Sequence, residues 1–328
     1  MSETVLGNRL HFVDVNGIRL RIAERGDGPL VLLLHGWPES WYSWRHQLPA
    51  LAEAGYRAVA PDMRGYGHSA APEATNEYDI HHICSDVVGL IETLGEDSAV
   101  FVGHDWGALV AWQCALLEPD HTSAVINMSV PYSGRAERSL IQMLEQAHGD
   151  NFFYILYFQE PGVAEKEFDA DPRGLLSRLY TSPDTPREPP TITDPLRSAG
   201  GMIDRSGAPK ELPDWLAADD LDYYVAQFTH AGFRGGINYY RNFHRNWEIT
   251  PELTGAQVAQ PVLFIAGEKD GVIRGADTAR LEALMRPSVP HLKNVVVVPA
   301  VGHWVQQESP AEVNEAMIEF LHEHVPTH

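Results

Sequence analysis

Val102-Gly103-His104-Asp105-Trp106-Gly107 follows the apolar run Ala99-Val100-Phe101-Val102 and precedes the helix-like stretch Ala108 to Leu117. A small residue two positions before and two positions after a central polar one marks a sharp strand-to-helix turn, at which strand and helix nearly touch and the central side chain stands exposed. That side chain is a carboxylate, where a serine would be the usual nucleophile of such a turn. A serine must lose a proton to a histidine before it attacks a carbonyl, whereas a carboxylate is ionised at pH 7. An alkyl group on serine is an inert ether. On Asp105 it is an ester that water can later cleave, so the turn points to a saturated electrophile, an epoxide or an alkyl halide.

The strand entering this turn is one of several. Leu30–Leu34, Ala58–Ala60, Val125–Met128, Val262–Ala266 and Val295–Val298 are continuous apolar runs, the pattern of parallel strands covered on both faces. Helix-like segments alternate with them, among them Asp79 to Leu94 and Ala311 to His324. The expected fold is therefore a doubly wound α/β sheet, mostly parallel and flanked by helices. Before it, Leu10–Val15 and Ile18–Ile22 alternate across Asn16-Gly17, a type I′ hairpin signal. Residues 132–245 interrupt the rhythm without a comparable strand. They are expected to form a helical cap inserted between core segments 1–131 and 246–328, with a Pro- and Gly-rich loop over 182–213.

Composition sets outer bounds. The 328 residues hold 45 acidic and 24 basic side chains, a formal charge of −21, which disfavours nucleic acid and anionic membranes as partners. No apolar run is long enough for a transmembrane helix, and Met1-Ser2-Glu3-Thr4 opens without signal-peptide features, so a cytoplasmic location is expected. Cys84 and Cys114 have no metal or disulfide spacing and read as ordinary thiols. His322, His324 and His328 read as a solvated tail; neither a metal nor a cofactor is expected.

Two further groups complete a reaction. His303, in Gly302-His303-Trp304, follows the strand Val295–Val298, and Asp270 follows the strand ending at Ala266. Nucleophile, acid and histidine thus appear in the order of a strand-borne triad. His35-Gly36-Trp37-Pro38, directly after Leu30–Leu34, supplies an oxyanion hole from the backbone N–H groups of Trp37 and Trp106, with a cis bond at Pro38 as a means of turning the first inward. A halide leaves as a stable anion, but an epoxide opens to a basic alkoxide and wants an acidic O–H. Tyr154, Tyr157, Tyr239 and Tyr240 are the candidates, at the two ends of the cap.

These words together resemble the soluble-type epoxide hydrolases of the α/β-hydrolase superfamily. The resemblance rests on His35 to Arg45, Asp62-Met63-Arg64-Gly65-Tyr66-Gly67-His68-Ser69, Gly103 to Gly107, Tyr157-Phe158-Gln159-Glu160-Pro161-Gly162, Tyr239-Tyr240-Arg241-Asn242 and Gly302-His303-Trp304. It implies the α/β-hydrolase fold with a cap, Asp105 as nucleophile, His303 as base, Asp270 as its orienting acid, and Tyr154 and Tyr240 as donors to the epoxide oxygen. Ile155 stands where some relatives have a polar amide. Within the same words His35, Pro38, His104, Phe158 and Trp304 are expected to line the substrate pocket. The layout resembles the single-domain plant and bacterial members, without the N-terminal phosphatase domain of the animal ones. It implies a cofactor-free enzyme, monomer or homodimer, acting on a small lipid-like or aryl epoxide, as in detoxification. The alternatives are a haloalkane or haloacid dehalogenase and a non-catalytic small-molecule receptor.

Overall fold

The structure, a computed structural model, describes residues 3–327, so Met1, Ser2 and His328 lie outside the described residues. Nine strands form one sheet: β1 (Glu3–Val5), β2 (Asn8–Val15), β3 (Ile18–Arg25), β4 (Leu30–Leu34), β5 (Arg57–Pro61), β6 (Ala99–His104), β7 (Thr122–Met128), β8 (Val262–Gly267) and β9 (Leu292–Val298). Their spatial order is β1-β2-β3-β5-β4-β6-β7-β8-β9. From β5 to β9 all neighbours are parallel; β1, β2 and β3 are antiparallel additions at one edge. The hairpin turns where expected, with positive φ at both Asn16 and Gly17. A third strand, β1, extends it through the turn Leu6-Gly7, where φ is again positive at both residues.

The strands β4, β6 and β8 are buried along their whole length, as both-face coverage requires. The run Val295–Val298 departs from that expectation. As the sheet's edge strand, β9 leaves Val296 and Val297 half-buried. Helices α1 (Gln47–Glu53), α2 (Ile80–Thr93) and α3 (Trp106–Leu117) connect the first parallel strands. On α2 and α3, Cys84 and Cys114 are both buried and face each other as free thiols, Sγ to Sγ 3.1 Å, a proximity that their sequence spacing hides.

No strand lies between Met128 and Val262 among the described residues. That stretch holds α4 (Leu140–His148), α5 (Tyr154–Tyr157), α6 (Val163–Ala170), α7 (Pro172–Leu179), α8 (Met202–Arg205), α9 (Ala218–Ala231), α10 (Arg234–Arg241) and α11 (Phe243–Ile249). The segment 182–213 is mostly irregular, but α8 and a single 3-10 turn at Arg197–Ala199 interrupt it. Two amides opening α8, those of Met202 and Ile203, donate to the Glu167 carboxylate at 3.0 and 2.8 Å, a side-chain cap supplied from α6 and not readable locally. After β8 come α12 (Thr278–Met285), α13 (Val305–Glu308) and α14 (Pro310–His324).

The strand order reverses between β4 and β6, the place where open α/β sheets leave a crevice beyond the strand ends. Asp105 follows β6 there, with φ 52° and ψ −116°, a conformation few side-chain-bearing residues hold. Close approach permits it. A Cβ on Gly103 would lie 2.3 Å from the Gly107 carbonyl oxygen, and one on Gly107 only 1.8 Å from that of Leu34. Both obstacles are backbone, one in α3 and one in β4, so Gly107→Ala is expected to destabilise the protein by about 3 kcal/mol, read as a lowered melting temperature.

Candidate active site

Trp37, Asp105, Asp270 and His303 each lie beyond the C-terminal end of a different parallel strand, β4, β6, β8 and β9. The loop after β4 brings the Trp37 N–H to Asp105 Oδ1 at 2.8 Å, and the Trp37–Pro38 peptide is cis. The Trp106 amide, first in α3, faces the same carboxylate and favours its charged form. Asp105 Oδ2 faces His303 Nε2 at 3.9 Å. On the far side of the ring, His303 Nδ1 lies 3.2 Å from each oxygen of Asp270. One nitrogen thus faces the nucleophile and the other the acid, which fixes the ring's direction.

Asp270 is itself held. Its Oδ1 accepts from the Val272 N–H at 2.9 Å, and its Oδ2 from the Ser129 hydroxyl at 2.6 Å. Burial pushes its carboxyl up, but the charge and hydrogen bond of His303, with those two donors, bring it below the usual aspartate range. For His303, burial works downward. The Asp270 carboxylate, by charge and hydrogen bond, and then the Asp105 charge outweigh it and raise the imidazole to about 9. Asp105 is pushed above the ordinary aspartate value by burial, against the pull of His303, His104 and the two amides.

The resting site therefore holds an imidazolium beside the Asp270 carboxylate at neutral pH. Since the folded value for His303 exceeds its ordinary 6.5, the charged ring stabilises the fold fully below that pH, and the contribution is lost as pH rises through about 9. A ring-proton titration by NMR is expected to give a midpoint near about 9, falling by about one unit in Asp105→Asn, where one raising charge is gone. An unchanged midpoint would mean that Asp105 exerts no field on the ring.

Above Asp105 stand two tyrosines from opposite ends of the helical segment. Tyr154 opens α5 and Tyr240 lies in α10, their ring centroids 5.9 Å apart. No acceptor among the described residues takes either hydroxyl proton. For both, burial and then the Asp105 charge push the phenol pKa upward, so each is a neutral O–H donor at pH 7. The other two candidates are engaged elsewhere. The Tyr157 hydroxyl donates to Glu167 at 2.8 Å, and that of Tyr239 to the Arg64 carbonyl at 3.0 Å. Phe158, wholly buried, packs edge-on against Tyr154, Tyr240 and Trp37. It supports the tyrosine rings from behind and offers no open face to a substrate.

Three of the expected pocket-lining residues belong to the supporting layer. His35 is buried, accepting from the Met63 N–H at Nε2 (3.0 Å), with Nδ1 2.9 Å from the Gly36 carbonyl. His104 is sealed between the Glu39 carboxylate, 2.9 Å from Nδ1, and the His303 carbonyl, 2.8 Å from Nε2. Trp304 donates its indole N–H to the Leu179 carbonyl at 2.9 Å and packs on the rings of His104 and His303. Pro38 offers its carbonyl to the Tyr180 hydroxyl.

Two residues to which the sequence reading gave no role complete this layer. Glu39, wholly buried, also accepts from Gly36 N–H at 2.9 Å and from the amides of Gln306 and Gln307 at 3.0 and 3.2 Å, tying the β4 loop to α13 behind His303. Ser129 has φ 70° immediately after β7. The signal for it was positional: the residue just past the carboxyl end of a parallel strand borders the crevice. Among the described residues no group of three or more His, Cys, Asp or Glu side chains is placed to hold a metal, and no helix is long and apolar enough to cross a membrane.

A carboxylate on a strained turn, braced by two backbone amides and backed by a histidine–aspartate pair on later strands, is an arrangement belonging to one class of protein. Residues 29–310 match the alpha/beta hydrolase fold family, and the chain is a member of it. Within that fold it belongs to the epoxide hydrolases, hydrolases that act on ether bonds. Epoxide hydrolase A of Mycobacterium tuberculosis is 47% identical over 312 residues, covering 94% of this chain and 96% of the relative. Epoxide hydrolase 2 of Siraitia grosvenorii is 41% identical, again over 94% and 96%. The crystal structure of Epoxide Hydrolase A from Mycobacterium thermoresistibile superposes with a TM-score of 0.87 at 46% identity, covering 96% of this chain and 98% of that one.

Proposed function

We propose that the protein converts a small-molecule epoxide and water to a vicinal diol through a hydroxyalkyl ester on Asp105. The observation that carries this is the pairing of a carboxylate nucleophile with two neutral tyrosine hydroxyls that have no acceptor of their own. Asp105 Oδ1 is held by the Trp37 amide, leaving Oδ2 as the attacking atom. As Oδ2 bonds to a ring carbon, the carbon–oxygen bond of the epoxide breaks, and Tyr154 or Tyr240 gives its proton to the departing oxygen.

His303 then restores that proton to the tyrosine through solvent and becomes neutral. Esterification removes the Asp105 charge, one of the influences that raise the imidazole, so the ring becomes a base at the step that needs one. It takes a proton from water, which attacks Cγ of Asp105. Negative charge collects on Oδ1, already facing the amides of Trp37 and Trp106. Collapse breaks the bond between Cγ and the former Oδ2; the departing alkoxide takes the remaining proton of the added hydroxyl and leaves as the diol, the water oxygen stays on the Asp105 carboxylate, and His303 is left protonated as in the resting site.

Under the same reading, residues 132–245 act as a cap over a core of 1–131 and 246–328, with Tyr154 and Tyr240 as the cap's catalytic contribution. A dehalogenase would use the same triad but has no need of two O–H donors. The deciding assay gives the wild type an aryl epoxide and, in parallel, a bromoalkane. Diol without halide release is expected; halide release without diol would overturn the reading.

A further inference from the structure

Behind the wall formed by Trp106 and Phe243, whose rings lie 4.5 Å apart, is a cavity of about 280 Å³ between α3, the 131–140 segment, α4 and α11. Tyr240 packs on the other side of that wall, 5.2 Å from Trp106 and 5.9 Å from Phe243. The lining is mainly apolar, with Leu109, Trp112, Met143 and Trp247 prominent, and contains no Asp or Glu at all. It does contain Arg135 and Arg138. In a chain with 45 acidic and 24 basic residues, a cavity that is only cationic is a departure that asks for a cause.

Two lining atoms sharpen it. The Tyr132 hydroxyl and Arg135 Nε are buried without a hydrogen-bond partner among the described residues, and Tyr132 is only 8% exposed. Arg135 does not lack anchorage. Its Nη2 donates to the Trp247 carbonyl at 2.6 Å, and its guanidinium sits 4.5 Å over the Trp247 ring. Arg138 is exposed and donates to Gln146 at 2.6 Å, so it contributes field more than a free donor. A buried guanidinium N–H and a buried phenol O–H left open are costly unless an acceptor meets them.

We propose that this cavity binds an organic monoanion, a carboxylate on an apolar body, with the carboxylate on Arg135 and Tyr132 and the body among Leu109, Trp112 and Met143. A dry cavity of about 150 Å³ takes one benzene, so this volume suits a chain of roughly eight to ten carbons. The site is separate from the Asp105 carboxylate, and its occupation requires no chemistry there.

The test uses the full chain with octanoate, 1-octanol and octylammonium, followed by equilibrium dialysis and by tryptophan fluorescence. Octanoate is expected to bind at least about tenfold more tightly than octanol, the worth of a hydrogen bond to a charged group, and octylammonium not at all. Arg135→Met should abolish that preference, leaving octanol binding within about twofold of wild type. Met143→Trp, which fills the cavity from α4, should weaken both ligands, and thermal melts of both variants report that they are folded. Equal binding of octanoate and octanol by the wild type would overturn the proposal. So would no binding at millimolar ligand. So would octanoate binding unchanged in both variants with competitive inhibition of epoxide turnover, which would assign the ligand to the Asp105 site.

Discussion

His303→Gln mixed with excess aryl epoxide is expected to gain the mass of one epoxide and keep it, while steady-state diol formation falls by about four orders of magnitude or more. Attack by Asp105 needs no base, so the first half of the reaction survives the substitution; the ester then waits for a water that nothing deprotonates. Glutamine retains a polar amide of similar reach but accepts no proton at neutral pH. Intact-mass spectrometry reads the result directly. Asp105→Ala should lose diol formation to a similar degree with no mass gain at all. A silent His303→Gln without adduct would remove the two-step scheme, because the histidine would then be required for attack itself. In ¹⁸O-water, a single wild-type turnover should label the enzyme carboxylate and leave the diol unlabelled.

What the sequence disclosed of this site depended on whether a residue's partners are local. Asp105, His303 and Asp270 each follow their own apolar strand, and in a parallel sheet the residue after the strand lies at the crevice whatever the intervening chain does. The strand runs were legible for the same reason: burial on both faces erases alternation. At the edge that rule weakens, which is why Val296 and Val297 are half-buried in β9. His104 shows the opposite case. Its position beside the nucleophile suggested contact with substrate, but its role is set by Glu39, sixty-five positions earlier, and by the His303 carbonyl. Nothing in the letters around His104 announces either partner. From the residues alone Tyr157 and Tyr239 were equivalent to Tyr154 and Tyr240, and only the resemblance singled out the second pair; the physical difference is that Glu167 and the Arg64 carbonyl hold the hydroxyls of the first. Cys84 and Cys114 meet only because α2 and α3 pack together.

Those two tyrosines carry the other large expected effect. Removing one preorganised donor to a developing oxyanion costs about 3 to 4 kcal/mol, or two to three orders of magnitude in kcat. Tyr154→Phe and Tyr240→Phe singly should each approach that loss, since an alkoxide has two donors and keeps one. The double variant leaves the alkoxide with neither and should be silent toward epoxides, its loss equal to the sum of the single losses or larger. Phenylalanine preserves the ring packing of Tyr240 on Trp37, Trp106 and Phe158, so the melting temperature should hold while kcat falls. The step lost is the first. The double variant should therefore show no mass gain with an aryl epoxide, in contrast to His303→Gln, whose ester accumulates. Formation of the ester at an undiminished rate in the double variant would mean that the ring oxygen finds its proton elsewhere, and the hydroxyls above Asp105 would then be part of the pocket wall and nothing more.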